Sequence, residues 1–187
     1  MSRHTRLAQV ACVAAAGYAV TGAVELAHDQ APVFADTLDW IIEGAFAIGM
    51  AASFVVLVAI ARATLPRPEP ATGWALAAIG TAALGAAALA STIAGRHTFD
   101  PFFIDLGFLA IMIGYSLLAF AHLRQGLPFS PSGGMFLFAG FIPIMTISGS
   151  ATAGNLLTGY GTLMVAWSWA VLAGRISSLQ DAPRSPR

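Results

Sequence analysis

Six long apolar runs, separated by short clusters of polar and turn-forming residues, organise this chain. They cover approximately 7–26, 39–61, 73–95, 102–122, 134–152 and 156–174. A bilayer core about 30 Å thick needs roughly 20 apolar residues per helix, so each run predicts a transmembrane helix. The short links predict antiparallel neighbours packed in a compact bundle. The expected fold is therefore all-α: a polytopic membrane protein with one six-helix domain over residues 1–175. Residues 176–187, with Pro183 and Pro186, read as a disordered cytoplasmic tail. The first run, from Leu7, exceeds the roughly 7 to 15 residues of a signal core and precedes no A-x-A site, so it reads as a retained span.

Composition agrees with this pattern. Hydrophobic residues make up 57% of the chain and charged residues 10%, with mean hydropathy +0.75. A soluble domain carries roughly a quarter charged residues. Net charge is zero and no basic patch stands out, so nucleic acid is not expected as a partner. The single cysteine, Cys12, excludes an internal disulfide and a cysteine-cluster metal site. Lysine is absent and alanine and glycine abound, which suggests a GC-rich bacterial genome and hence the bacterial inner membrane.

Charge placement supplies an orientation. Arg3, Arg6, Arg62, Arg67, Arg124, Arg175, Arg184 and Arg187 fall at one end of the spans, and Arg96 alone at the other. The positive-inside rule then puts both termini in the cytoplasm. Seven of the nine carboxylates lie at the outward end: Glu25, Asp29, Asp36, Asp39, Glu43, Asp100 and Asp105. Topology does not require acids to lean into hydrocarbon, so function is sought there.

Asp36, Asp39 and Glu43, spaced i, i+3, i+7, share a helical face. Asp36 or Asp39 can cap the helix, but Glu43 lies a turn deeper among Ile41, Ile42, Ala45 and Phe46. Burying a carboxylate in lipid costs about 2.5 to 3.5 kcal/mol, which a partner or a proton must offset. Asp100-Pro101 reads as a helix start, leaving Asp105 beyond capping reach beside Phe102, Phe103 and Phe108. The segments 40–46 and 102–108 echo each other, each with an aromatic start, a carboxylate and a phenylalanine.

Glu25, His28 and Asp29 close the first span, with Tyr18, Gly22 and Glu25 along one stripe facing the bundle. An E-x-x-H on a bundle helix suggests a carboxylate metal site only with a second such motif, which the chain lacks. His97 and Asp100 could complete a mononuclear set, but no metal and no cofactor are expected. Arg96 could pair with a carboxylate, while Asn155 and Tyr160 could donate hydrogen bonds into the same space. In span 3, Ala78, Ala82, Ala86, Ala90 and Ala94 repeat every four residues, Gly80, Gly85 and Gly95 add further small positions, and together they predict a close-packing helix. Pro143 predicts a kink in span 5. Trp40, Trp74 and Phe129 fit an interfacial belt. Phe46, Phe54, Phe108, Tyr115, Phe120, Phe138, Phe141 and Trp167 lie deeper, and those lining a cavity would offer π faces to a cation.

Walker, G-x-S-x-G, H-E-x-x-H and Cys-Cys-His signatures are all absent, so hydrolases, ATPases and zinc enzymes lack support. In size, multiple spans and intramembrane acids the chain resembles the small integral-membrane terpene cyclases of bacterial and fungal meroterpenoid pathways. The resemblance rests on architecture and on Glu25, Asp39, Glu43 and Asp105 as acid candidates, and on no diagnostic motif. It implies a lipophilic substrate bearing a linear isoprenoid, cyclised by a protonated carboxylic acid without a metal. Tyr18, Trp40, Phe46, Arg96, Phe108, Tyr115, Asn155 and Tyr160 are then the substrate-binding candidates, beside contacts with membrane lipids. Two other readings stay open: a proton-coupled small-solute transporter, for which six short spans suggest a homo-oligomer, and a non-catalytic accessory subunit.

Overall fold

A computed structural model of the protein describes residues 3–28, 33–64, 68–98, 101–125 and 154–181. These residues form five helices: α1 (Arg3–Glu25), α2 (Thr37–Thr64), α3 (Pro68–Ala94), α4 (Pro101–Gln125) and α5 (Gly154–Asp181). The expected fifth span, with Pro143, falls outside the described residues. The order of packing is α4, α3, α2, α1, α5, so the last helix returns to the first.

Arg3–Glu25, Thr37–Arg62 and Pro70–Ala94 are long and apolar enough to cross a membrane, and α4 contains the apolar stretch Leu106–Ala121. Their surfaces are those of a membrane protein. Ile48, Val55, Ile79, Leu89, Ile93 and Phe120 are exposed, whereas Thr21, Ser53, Thr81, Ser91, Thr162 and Ser168 are buried. Water would favour the reverse arrangement; lipid accepts apolar faces outward and requires polar groups to find partners within. Several do so locally. Thr81 donates to the Ala77 carbonyl at 2.7 Å and Ser168 to the Met164 carbonyl at 3.0 Å, each four residues back.

The helices meet through small residues. A Cβ placed on Gly80 of α3 would lie 2.5 Å from the Gly107 carbonyl oxygen of α4. Backbone contact of this kind drives helix association where no hydrophobic effect operates. We expect Gly80→Val to force α3 and α4 apart and cost about 1–3 kcal/mol, read as earlier thermal unfolding in detergent. The buried face of α3 runs through Gly73, Ala77, Gly80, Thr81, Leu84, Ala87, Ala88 and Ser91. The alanine repeat does not follow it: Ala78 is buried, but Ala82, Ala86 and Ala94 are exposed. A four-residue step overshoots a 3.6-residue turn by about 40° each time, so the repeat winds off the packed face.

Three other differences from expectation concern packing. Trp74, expected in an interfacial belt, is fully buried. Trp167, expected deep, is 58% exposed, while its neighbour Trp169 is completely enclosed. Helix α5 continues past Arg175 to Asp181, and Ile176 joins Leu172 and Ala173 in the core, so order extends into the expected tail.

Helix ends bring the acidic residues together. Gly95 terminates α3 in the left-handed region at φ 64°, where the Arg96 N–H returns to the Ser91 carbonyl at 3.3 Å. That closure favours glycine over any residue with a side chain. It leaves the Gly95 carbonyl to accept the Phe34 N–H at 3.0 Å, and Arg96 pairs with Val33 in a single antiparallel bridge. The connection leading into α2 is thereby tied to the end of α3.

Candidate functional site

The site is built from the last turn of α1, the first turns of α2 and the start of α5. Gly22 of α1 faces Gly159 of α5: a Cβ on Gly22 would stand 2.8 Å from the Gly159 carbonyl oxygen. Such close approach brings the residues three positions on from each glycine together. Thr162 Oγ1 donates to Glu25 Oε2 at 3.0 Å. Helical side chains lean toward the N-terminus, which directs the Glu25 carboxylate back into the bundle rather than out to water. Glu43 follows Ile42 on α2, whose carbonyl accepts from Thr21 Oγ1 of α1 at 3.2 Å, so it stands at the same end of the bundle as Glu25. Two half-buried acids thus stand at the same end of neighbouring helices.

Aromatic side chains lie below them. Tyr18, 3% exposed, meets Phe46 edge-on with centroids 6.0 Å apart. Its hydroxyl is 3.0 Å from Ser53 Oγ and 3.4 Å from the Met50 sulfur, both on α2. Tyr115 of α4 is also buried, with the Trp169 indole of α5 beside its hydroxyl. Phe108 is half-buried against the same core.

Asp36 and Asp39 form a reciprocal cap on α2. Asp36 Oδ1 accepts the Leu38 N–H at 2.8 Å and the Asp39 N–H at 3.2 Å. Asp39 Oδ2 in turn accepts the N–H groups of Ala35 at 2.8 Å and Asp36 at 3.4 Å. An acid at each of these positions satisfies free N–H groups and meets the positive end of the helix. Asp36 is thus the cap. Asp39, three residues inside and 1% exposed, closes the box. Its second oxygen, Oδ1, lies 3.0 Å from His28 Nε2, and the same nitrogen is 3.6 Å from Asp36 Oδ1.

These contacts correct part of the expected geometry. Helix α1 ends at Glu25 and His28 is non-helical, so Glu25 and His28 do not share a helical face; His28 turns to α2 instead. Arg96 is exposed and makes no ion pair among the described residues. His97 packs edge-on against Phe34 at 5.6 Å rather than joining a ligand set, and Trp40 meets Phe34 at 5.3 Å. Tyr160 is 61% exposed, and Thr162 supplies the α5 hydroxyl bonded to Glu25. Phe54 and Phe120 also face outward. Asp105 lies in the first turns of α4, and Asn155 in the first turn of α5, at residues whose side chains are outside the described set. Asp29 and Asp100 fall outside it as well.

His28, Asp36 and Asp39 offer three ligand atoms within 4.8 Å of one another. One oxygen of each aspartate is engaged by backbone N–H groups, and the imidazole is already bonded to Asp39. Cap and hydrogen bond together account for the positions of the three side chains.

Comparison of the chain with protein-family models, with curated proteins and with solved structures finds no match. Fold and site define the class: a membrane-embedded helical bundle with carboxylates gathered at one end, next to buried aromatic side chains.

Proposed function

We propose that the protein is a membrane-embedded terpene cyclase, closing rings in a linear isoprenoid chain carried by a lipophilic substrate. The supporting observation is the placement of Glu25, bonded to Thr162, on the helix that carries Tyr18, whose edge-on partner Phe46 follows Glu43 by one turn of α2. Glu25 in its acid form gives its proton to an alkene of the substrate. The alkene π pair forms the new C–H bond and leaves a carbocation on the adjacent carbon. Thr162 then stabilises the carboxylate by donating its O–H. Successive alkenes attack the cation within the chain, while Tyr18, Phe46, Phe108 and Tyr115 offer π faces to the moving charge. Loss of a proton from the last cation ends the sequence, so the product is an isomer of the substrate. Glu43 and Asp105 are the other acid candidates. Asp39, occupied by two backbone N–H groups and His28, has an acceptor's partners and is not the proton donor.

In this reading six helices span the bacterial inner membrane with both termini cytoplasmic, and the substrate enters sideways from the bilayer. The protein in lipid nanodiscs, incubated with a farnesylated phenol, is expected to yield cyclic products of unchanged mass. Unaltered substrate would rule out the cyclase. A second reading, a proton-coupled transporter, draws on Glu43 and Asp105, which would alternate protonation and access. Uptake driven by a pH gradient, without any change in the solute, would favour it. Absence of both activities would leave an accessory subunit.

A further inference from the structure

The His28–Asp39 pair has the geometry of an oriented base. Asp39 is enclosed, and its carboxylate is fixed by two backbone N–H donors through Oδ2. Its remaining oxygen faces His28 Nε2 at 3.0 Å. A carboxylate can only accept here, so a neutral His28 must carry its proton on Nε2, leaving the lone pair on Nδ1. Among the described residues Nδ1 has no hydrogen-bond partner. The side chain is 20% exposed, neither sealed in the core nor open to bulk water. Carboxylate and imidazole form two members of the arrangement by which enzymes aim a general base.

We propose that His28 is the proton acceptor that ends the cyclisation and that Asp39 is its positioning residue. The inference rests on the cyclase reading. A C–H bond next to the final carbocation breaks, its electron pair becomes the product alkene, and the proton passes to Nδ1 of His28. The resulting imidazolium faces Asp39 and Asp36, the titratable groups that approach it from α2, and both stabilise its charge. Glu25, three residues earlier on the same chain segment, is left as carboxylate by the initiating step. Return of the proton from His28 to Glu25 through water restores both groups without net gain or loss.

The experiment has two arms on the full-length protein in nanodiscs. Nitrogen-15 NMR of labelled histidine, with His28 assigned by its loss in His28→Gln, reads the tautomer. The Nε2–H form is expected, and Asp39→Asn should weaken that preference. The second arm records turnover of a farnesylated phenol against pH. His28→Gln should lower turnover about 100-fold or more and abolish the fall in rate on the acid side that protonation of a base produces. Circular dichroism and melting temperature of the variant should match wild type. An Nδ1–H tautomer, or an active His28→Gln within about threefold of wild type with its acid limb intact, would overturn the inference while leaving the cyclase in place. An inactive wild type would remove the reaction itself, and His28's part in it.

Discussion

Replacing Glu25 by glutamine should reduce turnover about 10²–10⁴-fold while leaving the fold intact, because the side chain keeps its shape but loses the transferable proton. The amide oxygen can still accept from Thr162 Oγ1, which lies 3.0 Å from the present carboxylate. Helix packing at Gly22 and Gly159 is untouched. Loss of activity with normal expression and melting temperature would therefore isolate chemistry from structure. Glu43→Gln provides the comparison: a smaller loss would assign Glu43 to tuning its neighbour, whereas an equal loss would make the two acids a unit. Full activity in Glu25→Gln would move the initiating acid to Glu43 or Asp105.

Asp39→Ala should instead act on stability. It strips the acceptor from two backbone N–H groups at the start of α2 and from His28. Three hydrogen bonds to an enclosed carboxylate are lost, and bonds to charged groups are worth about 1.5–3 kcal/mol each, so a large drop in melting temperature is expected. Asp36→Ala, at an exposed cap, should cost only about 1 kcal/mol. Differential scanning fluorimetry of the two variants in one detergent gives the comparison. Equal losses would mean that burial of Asp39 contributes nothing.

Much of the helical organisation was legible because lipid imposes it. The starts and ends of the apolar runs mark α1 to α4 within a few residues, and Pro101 begins α4 as its proline predicts. Which face of each helix turns inward was harder to see. Both faces are apolar in a membrane bundle, so Trp74, Trp167 and Trp169 look alike in sequence although two are buried and one is exposed. Small residues carry the packing information: Gly80 lies on the packed face as its size predicts, whereas the four-residue alanine repeat winds off that face. The acids were visible as anomalies in composition. Their partners were not, since each belongs to another part of the chain. Thr162 could have been found by noticing that Gly22-x-x-Glu25 and Gly159-x-x-Thr162 share a spacing. His28 was hidden by reading an E-x-x-H motif onto a helix that in fact stops at Glu25.

The central claim is that Glu25 and Glu43, both half-buried, lie at membrane depth rather than open to water. Carbodiimide labelling of the protein in membranes, mapped by mass spectrometry, tests this most directly. A lipid-soluble carbodiimide should modify Glu25 or Glu43, and a water-soluble one should leave both untouched while reacting at Asp36. Equal modification of Glu25 and Glu43 by the water-soluble reagent would contradict the account.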